Sequence, residues 1–297
     1  MEIDKALWKI HDASFVPYLL DSLQHHDRSI RAYTAEVLGV IGDVRTVPSL
    51  IESLKDRDYL VRGNSAEALG NIRRASALPV LIEALMDSVN HVRCKAAEAL
   101  GRIGNARAVP ALIETLKAND SNIRWKAAEA LGNIRNPSSV PALIELNKDG
   151  HSYVRRLALE ALGKIGDSLA VPVLIEAHKD SKSNIRREAD TALGKNTDAR
   201  AVPALVESLK DSNLSVRRNA THVLNMIGDA SAIPALTEAL KDRDCYVRLY
   251  AAVALGNIGD RRSVSGLIEN GEDGHDHVQR QAAEALGSIS DANAIPE

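Results

Sequence analysis

His275-Asp276-His277, close after Glu272-Asp273, is the nearest the sequence comes to a set of metal ligands. Imidazoles and carboxylates are the donors a divalent cation takes, but a closed site needs them converging from several directions. This group is a single short turn, and no matching cluster occurs elsewhere in the chain, so it reads as a solvated turn. The remaining histidines are scattered, and no serine or cysteine carries a local nucleophile signature. Cys94 and Cys245 have no close spacing, which points to a reducing compartment and not to a disulfide scaffold. Gly101-x-x-Gly104 recurs through the chain as a helix end, so it does not mark a phosphate-cradling loop. The expectation is no catalytic residue, no metal and no cofactor.

The elements that would position any site are set by composition and period. The 297 residues are 45% apolar but only 3% aromatic, so the core must be built from Ala, Leu, Ile and Val. A formal charge of −3 argues against a whole-surface attraction to nucleic acid or anionic membrane. Met1-Glu2-Ile3-Asp4 lacks the basic start and apolar run of a signal peptide, and no stretch approaches the ~20 apolar residues of a membrane span. A soluble, cytoplasmic protein is expected.

Prolines stand at Pro17, Pro48, Pro79, Pro110, Pro141, Pro172, Pro203 and Pro234, then Ser265, then Pro296, each step 31 residues. An arginine column keeps the same step: Arg31, Arg62, Arg93, Arg124, Arg155, Arg186, Arg217 and Arg248, then Gln279. Such a period is the signature of a stacked repeat. Each unit reads as two helices. Val47, Leu50, Ile51 and Leu54 make one apolar stripe in the first, with proline in its opening turn. Val92, Ala96, Ala97, Leu100 and Ile103 line the second. The glycine column (Gly39, Gly70, Gly101 and their successors) predicts tight backbone packing against the next unit, and Gly42-Asp43, Gly166-Asp167 and Gly228-Asp229 predict left-handed helix stops. Aspartates such as Asp56, Asp87 and Asp149 precede the recurring arginine in the inter-helix turn. Charge-assisted hydrogen bonds between them should fix that turn.

The unit seen in Val109-Pro110-Ala111-Leu112-Ile113-Glu114 and in Val92-Arg93…Ala96-Ala97-Glu98-Ala99-Leu100-Gly101 resembles the HEAT-like repeat of the bilin-lyase type. Artificial alpha-Rep scaffolds share its 31-residue step. The resemblance implies an all-α, right-handed α-solenoid, an armadillo-like alpha-alpha superhelix of about nine units whose second helices line a concave side. Residues 13–291 would hold the nine repeats, 1–12 a partial N-terminal cap helix, and 292–297 the start of a truncated tenth unit. Departures from the framework (Thr191, Asn196, Asn225, Ser265) mark a natural sequence more than a designed consensus. The His-Glu dipeptides with which deoxyhypusine hydroxylase presents iron ligands are absent here. Scarce aromatics argue against the aromatic-rich clefts of helical-repeat DNA glycosylases.

Counted from the recurring arginine, offsets +1, +2, +5 and +9 vary most among the surface positions of the second helix. Offsets +1, +5 and +9 follow one face at i, i+4, i+8. The third to seventh units carry a net positive charge on these columns although the chain is acidic overall. Tyr33, Trp125, Leu157, Leu249 and Tyr250 punctuate the face as candidate anchors, and Lys95, Lys126, Arg156, Arg187 and Arg218 as candidate orienting charges. Aromatic residues and arginine are the types that carry binding energy at interfaces. The functional expectation is a non-catalytic scaffold gripping a partner protein or peptide, acidic or of mixed polarity, with no membrane and no nucleic acid involved. The alternative, implied by the resemblance alone, is a bilin-lyase-like protein handling the chromophores of phycobiliprotein assembly. The last complete pair, with Val278, Ala282 and Leu286, lacks a following layer, so a longer parent chain or self-association at that end is also expected.

Overall fold

The structure, a computed structural model, describes residues 13–177, 180–196 and 198–292. The expected cap helix and tenth unit lie outside the described residues. Among those described, the chain forms eighteen α-helices and no strand, and no helix is long and apolar enough to cross a membrane. It builds two compact units, Met1–Ala161 and Leu162–Glu297.

In the first unit, short helices α1 (Val16–Ser22), α3 (Val47–Ser53), α5 (Leu78–Ala84), α7 (Val109–Thr115) and α9 (Val140–Leu146) alternate with long ones. The long helices are α2 (Arg28–Ile41), α4 (Tyr59–Ile72), α6 (Asn90–Ile103), α8 (Ser121–Ile134) and α10 (Ser152–Ile165), which ends just past the first unit. The second unit continues with short helices α11 (Val171–Ala177), α13 (Val202–Ser208), α15 (Ile233–Ala239) and α17 (Val264–Asn270). Its long helices are α12 (Ser183–Asn196), α14 (Leu214–Ile227), α16 (Cys245–Ile258) and α18 (Asp276–Ala292). Within each unit a short helix packs on its own long helix, and long helices pack on one another in succession. This is the solenoid arrangement, in which each pair buries its stripe only against its neighbours.

Local chemistry sets the bounds. Each short helix follows a 3₁₀ turn and, except in α17, carries a proline near its start, where a missing N–H costs nothing. Asp43, Asp167 and Asp229 accept from the backbone N–H two residues on and so fix the turns after the left-handed glycines Gly42, Gly166 and Gly228. Arg73 and Arg135 take the same left-handed conformation at φ 57° without glycine. Val47 and Leu50 are buried as the stripe predicts, while Ile51 and Leu54 are half-covered. Val92, Ala96, Ala97 and Leu100 are fully buried. An added Cβ at Gly39 or Gly70 would stand 2.6 Å from the Cα of Ala68 or Ala99 on the next long helix. The expected close approach is therefore present.

The arginine column does more than fix one turn. Arg31 Nε and Nη2 donate to Asp56 at 2.7 and 3.0 Å, and Arg62, Arg124, Arg186, Arg217 and Arg248 repeat this fork on the aspartate 25 residues ahead. Meanwhile Arg62 Nη1 donates to the carbonyl of Asp56 at 2.8 Å. The sequence reading paired each arginine with the aspartate six residues before it. The carbonyl of that aspartate does serve its own arginine, but its carboxylate serves the arginine of the preceding repeat. The aspartate also accepts the backbone N–H two residues on, as Asp56 does from Asp58 at 2.8 Å. Each link is thus a bidentate pair that staples one repeat to the next, with Arg124 and Asp149 only 13% and 9% exposed. Burial raises the Asp56, Asp87 and Asp149 carboxyls, but the arginine fork and the backbone N–H outweigh it and hold them below their ordinary value.

Candidate functional site

The ten candidate residues all lie on long helices, six in the first unit and four in the second. Leu157 corrects the sequence reading: it is 4% exposed and cannot serve as a surface anchor. Its offset, +2, borders the buried stripe, so a branched apolar side chain there folds into the layer. Tyr33, Lys95, Lys126 and Tyr250, at the same offset, are half-buried for the same reason. Offset +9 is the open one, with Val40, Asn71, Asn133, Lys195, Met226 and Asn257 exposed.

A second spacing, 28 residues, organises this face. Lys95 Nζ meets Glu67 at 2.5 Å, and Lys126 Nζ meets Glu98 and, at 3.3 Å, Glu129. In the second unit Thr191 Oγ1 donates to Asn219 at 3.3 Å, and the rings of His222 and Tyr250 lie 5.9 Å apart. Each is an offset +5 side chain against the offset +2 side chain of the following repeat. Asn64 and Asn219 reach further back, to the carbonyls of Ala32 and Arg187. Much of the variation down these columns is therefore neighbour matched to neighbour. Lys95 and Lys126 serve first as staples between repeats, with Arg102 adding contacts to Asn71 at 2.7 Å and Glu67 at 3.5 Å.

The same spacing builds an aromatic cluster. Trp125 meets Tyr153 edge-on, with ring centroids 5.3 Å apart, while the Trp125 indole N–H donates to Asn122 at 3.2 Å. Lys126 Nζ sits 4.0 Å from the Trp125 ring centre, and the Arg156 guanidinium 4.9 Å from that of Tyr153. Arg156 also pairs with Glu160 at 3.4 Å. Tyr153 is 48% exposed and Trp125 about half-covered. Two rings and two cations, held in order and still reachable, are the side-chain types of an interface centre. Sequence reasoning took Trp125, Lys126 and Arg156 but missed Tyr153. The signal was there, since 28 is one repeat less one helical turn.

The second unit holds a smaller version. Arg218 lies 4.5 Å from the ring centre of Tyr246, also missed in the sequence, and is clamped by Asp244 at 2.6 Å. That clamp, helped by the backbone N–H of Val247 and opposed by burial, draws the Asp244 carboxyl down to about 2. Arg187 is exposed and pairs with no acid among the described residues, and Leu249 is half-buried.

Among the described residues no three His, Cys, Asp or Glu side chains gather where they could hold a metal ion. His275, in the turn singled out by its sequence, instead joins the arginine ladder, with Nδ1 3.1 Å from Arg248 Nη2 and 3.2 Å from Asp273. Cys94 and Cys245 are free thiols, and burial raises that of Cys94.

The family model for HEAT repeats matches residues 3–62, 47–122, 109–194, 171–244 and 233–297, which is nearly the whole chain. No curated protein matches it in sequence. Among solved structures, an engineered protein is 25% identical with a TM-score of 0.62, covering 96% of this chain and 91% of its own. YibA of E. coli is 25% identical with a TM-score of 0.61, at 86% and 95% coverage. The CpcE–CpcF complex of phycocyanin lyase from Nostoc is 27% identical over 82% of this chain and 94% of its own, with a TM-score of 0.48.

Proposed function

Because the chain belongs to the HEAT-repeat family, whose stacked helix pairs present extended side-chain surfaces, we propose that it is a non-catalytic scaffold binding a partner protein or peptide on its long-helix face. The observation that carries this reading is the Trp125–Tyr153 pair flanked by Lys126 and Arg156. Aromatics are 3% of the sequence, and two of them stand together on an accessible face in an interlocked geometry. Rings held in place before binding lower the ordering cost of association.

The electrostatics refine the partner's chemistry. Lys126 and Arg156 are already engaged by Glu98, Glu129 and Glu160, so a partner's acids must share them. Contact with the rings then supplies most of the affinity, and the cations orient a partner of mixed polarity. Glu114, exposed on the short helix α7, stands off the long-helix face and should not touch this partner.

The test is capture from a lysate of the source cell by wild type, by Trp125→Ala/Tyr153→Ala, and by Glu114→Ala. Truncating a central aromatic costs about 2 kcal/mol or more, so the double variant should retain its partner at least tenfold less well while Glu114→Ala keeps it. Equal retention by all three would overturn this reading.

A further inference from the structure

The arginine–aspartate ladder breaks at one rung. The aspartate column runs Asp56, Asp87, Asp149, Asp180, Asp211, Asp242 and Asp273; it departs at His25, which no arginine precedes by 25 residues, and at Ala118, which Arg93 does. Arg93, which would fork onto that carboxylate, donates only to the carbonyl of Asp87 at 2.6 Å and to the side chain of Asn90. Its Nε is without an acceptor among the described residues. The backbone N–H of Asp120 has likewise lost the carboxylate that its counterparts at Asp58 and Val89 use. Beside the missing group, between α5 and α7, lies a cleft of about 760 Å³ whose lining includes Arg93, Ala118 and Asp120 and, for its apolar part, Ile82, Leu85 and Met86. The neighbouring cleft that includes Asp87, already held by Arg62, is about 400 Å³.

We propose that this cleft is a binding site for a small monocarboxylate with an apolar tail. Its carboxylate takes the place of the aspartate side chain that Ala118 lacks, against Arg93 Nε and the Asp120 N–H, while its tail lies along Ile82, Leu85 and Met86. The donors match because the intact rungs show a carboxylate satisfying this arrangement. An arginine fork recognises a planar carboxylate with directional hydrogen bonds. Concave, mostly apolar walls with a few convergent polar groups are the usual form of a small-ligand site. The lining holds two acids, both engaged: Asp120 accepts from the Asn122 N–H at 2.7 Å and the Asn90 amide at 2.5 Å, and Glu114 accepts from Lys117, also in the lining, at 2.9 Å. This site is on the short-helix side of the repeats and does not depend on the partner-binding reading of the long-helix face.

The probe is octanoate, titrated calorimetrically into the whole protein, with octanol and octylammonium as uncharged and cationic counterparts. Saturable one-to-one binding of octanoate is expected, at least tenfold weaker for both counterparts. Ala118→Asp supplies the missing rung, so it should abolish octanoate binding and raise the melting temperature, which separates loss of the site from loss of the fold. Arg93→Gln should weaken octanoate at least tenfold. The proposal is overturned if Ala118→Asp binds octanoate as wild type does, if no saturation is seen at millimolar concentrations with water alone filling the cleft, or if an Asp-bearing peptide binds there and octanoate does not.

Discussion

Asp190→Ala should stabilise the second unit at neutral pH and remove most of that unit's loss of stability on going from pH 5 to pH 8. Asp190 stands four residues after the recurring arginine, in a column where Ala35, Ala66, Ala97, Ala128 and Ala252 are all 0% exposed. It is equally buried. One oxygen takes the Ser208 hydroxyl at 3.1 Å, and the other has no hydrogen-bond partner. Burial is the chief cause that lifts its carboxyl to about 8; the Ser208 bond and Arg186 pull it down, and Asp211 adds to the rise. Arg186 cannot neutralise it, being committed to Asp211 at 2.5 and 2.9 Å.

The sign follows from the protons bound. The unfolded acid ionises near 3.8 and the folded one near 8. Between these values unfolding releases a proton, so stability falls as pH rises, by at most about 1.4 kcal/mol per pH unit. The ladder acids act oppositely: Asp273, lowered by Arg248 first, contributes stability above its ordinary value and loses it only as pH falls below about 4. Wild-type stability in the second unit should therefore peak under mildly acidic conditions. At pH 7 alanine should gain on the order of 2–4 kcal/mol. Hydrogen exchange of the α12 amides at pH 5, 6.5 and 8, corrected for intrinsic rates, resolves this unit from the first. A wild-type opening free energy that rises over this range would refute the assignment.

One substitution should have opposite signs at two positions of a single column. Alanine at Gly70 places a methyl 2.6 Å from the Cα of Ala99, which is backbone and cannot swing aside. The two long helices must separate, at a cost of about 2–3 kcal/mol, well above the ~1 kcal/mol that alanine gains over glycine in a helix. At Gly287 the same added carbon meets nothing within 4 Å. There Gly287→Ala should stabilise α18 by about 0.5–1 kcal/mol. Urea midpoints read by circular dichroism should fall for Gly70→Ala, while exchange at α18 should slow for Gly287→Ala. Two shifts of the same sign would contradict the role given to this glycine column.

These two cases also separate what a repeat sequence displays from what it conceals. The 31-residue step, the two helices per unit and the buried positions Val92, Ala96 and Leu100 follow from hydrophobic spacing within one copy. The tight glycines follow from comparing copies. Contacts between copies are harder, because they depend on the stagger between successive long helices, which no single unit encodes. Reading Asp56 with Arg62 was natural in sequence, yet its carboxylate belongs to Arg31. Leu157 looked like a surface anchor because its column elsewhere holds Lys95, Lys126 and Asn219, and only the packed layer shows that the position is half closed. Once the 28-residue offset is known, Glu67 with Lys95, Glu98 with Lys126 and Trp125 with Tyr153 can all be paired from the sequence. The missing rung at Ala118 was visible as a gap in a column, but the cleft beside it was not.

A partner should sit on the accessible aromatic cluster of the long-helix face. A photo-crosslinking side chain placed at Asn133, exposed on α8 eight residues beyond Trp125, tests it against the same group at Glu114 on the short helix α7. One polypeptide should be captured from Asn133 and not from Glu114, and Trp125→Ala/Tyr153→Ala should abolish the capture. Equal capture from both positions, or capture that survives the double substitution, would contradict it.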